Sequence, residues 1–281
     1  MEIQFLEGIE FSVLYRSFLE AFSDYLVPMK LTEEQFREML IRRGADLPLS
    51  AGAFVVGKLA AFTFNAVDWH QNVLTAYDVA SGVVPNYRRR GLASSILKFS
   101  LPKLKATGAR RYLLEVLQKN FAAFGLYEKL GFRVTRNFEV FRRQIAPPLG
   151  SQSRFQTLVI EPDWEFFSRI WDWQPSWQNS IRSVQRSKST KTILGVFLDS
   201  TCVGYGIVYQ DTGDVPQFCI DPAFRRMGAG KILIDALQAR IDPRIALRAV
   251  NIDSASESTI RFLLNQGFEN FISQHEMEME L

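Results

Sequence analysis

Residues 83–93 read Val-Val-Pro-Asn-Tyr-Arg-Arg-Arg-Gly-Leu-Ala, and residues 220–230 read Ile-Asp-Pro-Ala-Phe-Arg-Arg-Met-Gly-Ala-Gly. In each, an apolar run stops at a proline, passes an Arg- and Gly-rich turn, and enters a segment with helical apolar spacing. Such a turn sets several backbone N–H groups at the positive end of a helix dipole, where an anion is favoured. The N–H groups of residues 89–94 would share one concavity, which Gly91 and Ala93 leave open to close approach. The Gly228-Ala229-Gly230-Lys231 run is no P-loop, because the first glycine is missing at the required spacing and Ile232 stands where Ser or Thr is needed.

The repetition extends beyond the turn. Pro85 and Pro222, Arg88 and Arg225, and Gly91 and Gly228 lie 137 residues apart, while Gly131-Phe132 and Gly267-Phe268 lie 136 apart. Two equal modules follow. Between them, residues 145–153 carry two prolines, a glycine and two serines that interrupt any period, so the domains are placed at 1–145 and 154–281 with a linker at 146–153. A length of 281 residues suits two domains.

Each module alternates strands and helices, which favours α/β layering. In the first, helical spacing covers residues 9–23 and 32–43, a hairpin turns at Gly57-Lys58, and residues 74–84 are β-like. A helix over 92–107, a strand over 112–117, a helix over 121–129 and a strand pair over 132–144 complete it. The second repeats the order with a helix over 164–171, a hairpin over 193–209, a strand over 215–220, helices over 229–240 and 257–265 around a strand at 245–250, and closing strands to 281.

Charge and composition exclude several classes. Residues 1–150 hold 20 Lys/Arg against 14 Asp/Glu, and residues 151–281 hold 13 against 16, so the halves carry about +6 and −3. A basic first half suits an anionic ligand but falls well short of a nucleic-acid stripe. Two histidines (His70, His275) and two cysteines (Cys202, Cys219), the latter in apolar runs, give no metal-ligand spacing; no metal is expected, and both thiols are expected to be buried. No long apolar run or signal-like start is present, so the expectation is a soluble cytoplasmic protein without a membrane partner.

Arg-Arg-Arg-Gly-Leu-Ala and Arg-Arg-Met-Gly-Ala-Gly resemble the acyl-CoA pyrophosphate turn of the GCN5-related N-acetyltransferase (GNAT) superfamily, and residues 114–132, LEVLQKNFAAFGLYEKLGF, resemble that family's second motif. The resemblance covers nearly the whole chain, twice. It implies two tandem α/β modules, each with a mixed, splayed sheet flanked by helices, and acetyl-CoA as co-substrate between the fourth and fifth strands. It assigns the cofactor to the backbone at Val83 and Val84, to Arg88, Arg89, Arg90, Gly91, Leu92, Ala93 and Ser94, and to Asn120, whose capping of a helix would also explain it. A second site would use Ile220, Arg225, Arg226, Gly228, Ala229 and Gly230.

Acyl transfer to an amine needs a base, because an amine of pKa ~10.4 is protonated at neutral pH, and an acid for the leaving thiolate. Glu115, a carboxylate in an apolar strand, is the base candidate; a solvated edge residue is the other reading. Tyr127 is the acid candidate, with a packed helix aromatic as the alternative. In the second module Asn251, Ser256 and Leu263 stand where Glu115, Asn120 and Tyr127 stand in the first, so the N-terminal module is expected to catalyse and the C-terminal one to bind CoA without turnover or to shape its partner. The implied function is N-acetylation of a small-molecule or peptide amine in a ternary complex by a monomer or homodimer. The alternative is a non-catalytic acyl-CoA-binding or sensing module. Phe22, Asp24, Tyr25, Asp68, Trp69 and His70 fall in segments bordering the acceptor site in this family, with acidic members that would suit a cationic amine. Trp164, Trp171, Trp173 and Trp177 form a local core, a seam or a pocket wall.

Overall fold

The computed structural model describes residues 1–144 and 153–281, so the expected linker, apart from Ser153, lies outside the described residues. In chain order the elements are β1 (Glu2–Phe5), α1 (Phe11–Ala21), α2 (Glu33–Arg43), β2 (Asp46–Val55), β3 (Lys58–His70), β4 (Val73–Val83), α3 (Leu92–Ala106), β5 (Arg111–Leu117), α4 (Phe121–Lys129) and β6 (Arg133–Arg143). They continue with β7 (Phe155–Val159), α5 (Trp164–Arg169), α6 (Ile181–Arg186), β8 (Lys191–Leu198), β9 (Thr201–Tyr209), β10 (Asp214–Val215), β11 (Gln217–Ile220), α7 (Ala229–Gln238), β12 (Leu247–Asp253), α8 (Glu257–Asn265) and β13 (Glu269–Glu280). Both halves are mixed α/β.

The local signals behave as their chemistry requires. Thr32 caps α2 in a reciprocal capping box with Gln35, and Gly44 closes it in the left-handed region at φ 78°. Asn120 accepts from the Ala123 N–H and starts α4. Three expectations change. Residues 133–143 and 269–280 each form one uninterrupted strand instead of a pair, because neither run contains a glycine or proline to turn it. The expected strand over 215–220 breaks at Pro216, which cannot donate to a ladder, into β10 and β11. Short elements β1, β7 and α6 were not expected at all, being too brief to show a period.

The chain divides into two compact units whose limits differ from the 145/154 boundary. Unit 1 takes residues 1–136, a short piece at 185–187, and residues 274–281; unit 2 takes 137–184 and 188–273. The change of unit therefore falls inside β6 and inside β13. Unit 1 owns the C-terminal strand: Gln274 to Glu280 run antiparallel to β5, from Gln274 opposite Leu117 to Glu280 opposite Arg111. Unit 2 correspondingly owns the end of β6, where Phe138 to Arg143 pair with β12. A strand's own sequence specifies its pleat and its apolar face but not which strand it joins, so this exchange was invisible in the repeat.

Unit 1 builds its sheet in the order β1-β2-β3-β4-β5-β13, antiparallel except for β4 beside β5. One face carries an aromatic core in which Phe18 of α1 lies 4.5 Å from Phe36 of α2, and Phe62 lies 4.8 Å from Phe64. On the other, Tyr112, Leu114 and Val116 of β5 and Met277 of β13 pack with Leu97 and Leu104 of α3 and Tyr127 of α4. Unit 2 holds the four-stranded order β11-β9-β8-β7 together with the ladders β6-β12 and β12-β10. Its core gathers Phe141, Val215, Leu233, Ala249 and Leu263. Trp164 packs edge-on to Phe167 and Trp171 donates to the Tyr205 hydroxyl, so these two of the clustered tryptophans serve this unit's own packing, and Trp177 is buried. Cys219 is buried as expected, whereas Cys202 is partly exposed.

Met277 is wholly buried in unit 1, so Met277→Ala is expected to lower that unit's stability by roughly 2–5 kcal/mol. Deleting residues 274–281 is expected to strip hydrogen-exchange protection from the β5 amides, some 160 residues earlier in the chain. Undiminished protection of β5 in the truncated protein would contradict this strand assignment.

Candidate functional site

In unit 1 the parallel ladder between β4 and β5 is short. It pairs Thr75 with Arg111, Ala76 with Tyr112 and Tyr77 with Leu113, and then stops, although β4 runs on to Val83 and β5 to Leu117. The strands diverge from Asp78 and Leu114 onward, leaving an opening lined on one side by backbone that has no partner across it. Val83 and Val84 lie at the outer end of that opening, next to the turn that leads into α3.

The turn itself has a specific backbone. Arg89 sits in the left-handed region at φ 59° and Gly91 at φ 76°, and the same pattern recurs in unit 2 with Arg226 at φ 58° and Gly228 at φ 96°. A left-handed arginine costs roughly 1 kcal/mol, so its repetition marks a geometry that both turns keep at a cost. Gly91 is the N-cap of α3 and no side chain caps it; the N–H groups of Leu92, Ala93 and Ser94 meet no acceptor among the described residues. A Cβ on Gly91 would meet nothing within 4 Å, so the surface over the turn is open. The donor set fits an anion of pyrophosphate type.

The three arginines are not equivalent. Arg88 is turned away from the concavity: its guanidinium donates to both Asp24 oxygens, at 2.7 and 2.6 Å, and to the carbonyls of Val83 and Ala21, at 3.1 Å each. This contact also holds the Asp24 carboxyl below its usual range. In unit 2, Arg225 repeats the arrangement, donating to the Ile220 carbonyl at 2.8 Å and to Asp172 at 2.8 Å. Arg88 and Arg225 therefore brace the strand end against the preceding helical segment. Arg90 leans over Tyr87 and donates to the Asn86 carbonyl, and Arg89 projects from the turn.

The two catalytic candidates are placed on opposite faces of β5. Tyr127 packs in the core with Tyr112, Leu114 and Val116, and since side chains alternate along a strand, Glu115 faces the other way. Glu115 is half-buried and lies directly across from Glu276 of β13. Glu276, which the sequence reading missed, is buried and held bidentately by Arg136 at 2.7 and 2.8 Å, with a further bond from Thr135. The C-terminal strand thus sets a neutralised carboxylate beside the base candidate. Its only sequence signal is the alternation of Glu and Met in residues 276–280.

A second missed group lies at the root of the opening. Asp78 is buried, accepts from Ser81 at 2.7 Å and from the Tyr127 hydroxyl at 3.2 Å, and has its other oxygen, Oδ1, without a hydrogen-bond partner. Burial pushes its carboxyl up to about 6, and the same burial, with Asp78 nearby, raises the Tyr127 phenol well above its ordinary value. Of the acceptor-border residues, Asp24 and Asp68 are both neutralised, the latter by Arg186 at 2.6 Å, so neither offers a free negative charge to a cationic amine. His70 is buried and lowered to about 3 by desolvation and by Arg111 and Arg136, which leaves it neutral near pH 7.

In unit 2 a cavity of about 840 Å³ opens over the corresponding turn, lined by Ile220, Arg225, Arg226, Gly228, Gly230 and Lys231 on one side and by residues of α8 on the other. That volume lies within the range of small-molecule sites. Asn251, at the Glu115 position, is buried and bonded to Ser176; Ser256 caps nothing through its side chain; Leu263, at the Tyr127 position, is sealed in the core.

Comparison with known proteins agrees with this architecture. Residues 12–132 match the family described as Acetyltransferase (GNAT) family, and residues 169–280 match the Acetyltransferase (GNAT) domain. The chain is a tandem member of the GNAT superfamily. Among curated relatives, the [ribosomal protein bS18]-alanine N-acetyltransferase of Escherichia coli (strain K12) is 36% identical over 85 residues, covering 29% of this chain and 55% of that enzyme. A mycothiol acetyltransferase of Corynebacterium glutamicum (strain R) is 37% identical over 62 residues, 22% of this chain and 21% of that enzyme. The chain thus spans about half the length of the first relatives it matches, or less. Whole-length likeness comes from solved structures. A GCN5-related N-acetyltransferase from Sphaerobacter thermophilus superposes with a TM-score of 0.74 at 14% identity over 99% of this chain and 95% of that one. A tandem GNAT protein from the clavulanic acid biosynthesis pathway does so with 0.70 at 14% identity, over 99% and 98%. These likenesses establish the two-domain GNAT fold.

If Arg88 is a brace, Arg88→Ala and Asp24→Asn are each expected to lower the melting temperature by a similar amount, and the double variant no further than either. A phosphate-binding role would instead weaken CoA binding, followed by calorimetry, in Arg88→Ala alone.

Proposed function

We propose that the chain is an acetyl-CoA-dependent N-acetyltransferase in which unit 1 carries out the transfer. The observation that carries this reading is the convergence, within one unit, of an open N–H cradle at the start of α3, a sheet that parts from Asp78 onward, and a phenol on α4 packed against the strand at that opening. The pyrophosphate of acetyl-CoA would sit on the N–H groups of residues 89–94, with Arg89 and Arg90 supplying positive charge in place of the engaged Arg88. The pantetheine arm would follow Val83 and Val84 as an added strand, beside Asn120.

The transfer proceeds by direct attack of the acceptor amine on the thioester in a ternary complex. Two protons have to leave the nitrogen. Glu115, directly or through a water, takes the first from the ammonium and returns it to solvent; the second ends on the departing sulfur, delivered by Tyr127. Their places on opposite faces of β5 assign the two proton transfers to separate groups. The acceptor is a small-molecule or peptide amine, and the site of action is the cytoplasm.

Unit 2 keeps the turn and a cavity but has Asn251 and Leu263 where a base and an acid would stand. It is read as an acyl-CoA-binding module without turnover. Calorimetry with CoA is accordingly expected to give two molecules per chain. One equivalent, surviving Gly228→Asp and lost in Ala93→Asp, would remove unit 2 from this reading.

Tyr127→Phe is expected to lower kcat for thiol release by about 100-fold or more with little change in KM for acetyl-CoA. Glu115→Gln should lower kcat most at neutral pH and recover as pH approaches the amine's own pKa. Stabilisation of the fold by CoA without thiol release from acetyl-CoA in any amine panel would favour a sensing module instead.

A further inference from the structure

Asp78 is the buried acid in unit 1 for which neither sequence motif has a use. It stands at the first position beyond the β4–β5 ladder, at a bulge where the β3–β4 register slips between Phe64 and Asn65. Burying a carboxyl there is costly, and among the described residues its bonds come from neutral hydroxyls, while Arg43 of α2 donates to the neighbouring Val79 carbonyl at 3.1 Å. The groups that face it are Tyr127 from α4, Tyr112 from β5, Thr63 and Asn65 from β3, and Ser81 of its own strand, none of them charged at neutral pH. These polar groups are themselves ordered: Tyr112 donates to Asn65 at 2.5 Å, the Ser81 and Thr63 hydroxyls lie 2.9 Å apart, and Asn65 donates to the Leu49 carbonyl at 2.8 Å. Within this network the Tyr127 proton points at Asp78 Oδ2, so the phenol in its resting state has its proton committed inward and its lone pairs outward. A tyrosine so arranged accepts a proton before it can give one.

The second unit supplies an internal control. At the offsets that align the two turns and the two second motifs, Asp78 corresponds to Val215 and Tyr127 to Leu263. Both are buried apolar residues of one core cluster. Where the phenol is absent, the carboxyl is absent with it, although Val215 lies inside its own ladder, opposite Ala249, whereas Asp78 lies one residue beyond the β4–β5 pairs.

We propose that Asp78 is a positioning residue that holds a proton for Tyr127, the two forming a shuttle that carries the acceptor's last N–H proton to the departing sulfur. This rests on the reading of unit 1 as an acetyltransferase with Tyr127 as its acid. As the C–N bond forms, the nitrogen gives its proton to the phenolic oxygen while the phenolic proton passes to Asp78 Oδ2. As the C–S bond breaks, Asp78 returns that proton to Tyr127, which gives its own to the thiolate. Nitrogen loses one proton, sulfur gains one, and the pair ends as it began. Glu115 is not displaced, since it removes the earlier proton of the ammonium. A carboxyl near 6 is basic enough to take the proton briefly and acidic enough to release it to a thiolate whose conjugate acid lies near ~8.5.

The test uses the full chain with acetyl-CoA and spermidine, L-lysine and trialanine as acceptor probes. Because the shuttle starts from ionised Asp78, wild-type kcat should rise with pH through a limb near 6. Asp78→Asn should lower kcat by about 100-fold or more, leave KM for acetyl-CoA within about 2-fold, and abolish that limb. Stability supplies a second readout. A folded-state carboxyl raised from 3.8 to about 6 makes ionised Asp78 a burden above pH 6 that is relieved as pH falls toward 4. The melting temperature of Asp78→Asn relative to wild type should therefore improve between pH 5 and pH 8.

A variant that keeps kcat within about 3-fold, or keeps the acid limb, overturns the proposal while leaving Tyr127 untouched. So does a loss of kcat accompanied by a raised KM and a lower melting temperature at every pH, the pattern of a purely structural residue. Tyr127→Phe with normal kcat, or no thiol release with any probe, removes the underlying acetyltransferase reading and the shuttle with it.

Discussion

Parallel strands normally keep their ladder until one of them ends, since each unpaired peptide group that is shielded from water is costly. In unit 1, β4 and β5 give up theirs after three residue pairs, and most of what is distinctive in that unit depends on it. The parting leaves peptide groups of β4 beyond Tyr77 without a partner on β5. It also places the end of β4 next to the turn that leads into α3. The braces from Arg88 to Asp24, Val83 and Ala21 tie the freed strand end to α1, so the divergence is maintained by contacts outside the ladder. At its root the parting traps Asp78 between β3, β5 and α4, in surroundings that raise both its carboxyl and the Tyr127 phenol.

The two units show which parts of this arrangement vary independently. Unit 2 keeps the left-handed arginine, the left-handed glycine and the brace from Arg225 to Asp172, with a cavity above the turn. It has an apolar pair, Val215 and Leu263, where unit 1 has the hydrogen-bonded pair Asp78 and Tyr127. The cradle is a property of backbone conformation and needs only glycine, a small residue and a helix start. The Asp78–Tyr127 bond is a property of two buried side chains that satisfy each other, and replacing one without the other would leave a polar group stranded.

The ends of the two second motifs are where repeat reasoning gave way. Residues 133–143 and 269–280 have the alternation of strands and were expected to complete their own modules. Each lacks a turn residue, so each runs on as a single strand, and the part beyond the boundary belongs to the other unit's core. Met277 fills the α3–α4 side of unit 1, and Phe141 the core of unit 2. Glu276 arrives beside Glu115 by the same route, which no spacing in the first half of the chain could announce.

The sequence by itself determined the tandem α/β organisation, the caps and limits of α2, α3 and α4, the turn that forms the N–H cradle, and the identity of the phenol on α4. These are local matters, settled by glycine and proline conformations, capping chemistry and apolar period within a window of a dozen residues. The tertiary structure alone decided that Arg88 is engaged by Asp24, that Glu115 and Tyr127 face opposite ways, that Asp78 bonds to Tyr127, and that the end of the last strand belongs to the first unit. The Arg88–Asp24 contact joins residues 64 apart, the Tyr127–Asp78 bond residues 49 apart, and the β5–β13 ladder reaches from Arg111 to Glu280. A polar side chain in an apolar run does not say which partner will satisfy it, because that is chosen only when the sheet has closed around it.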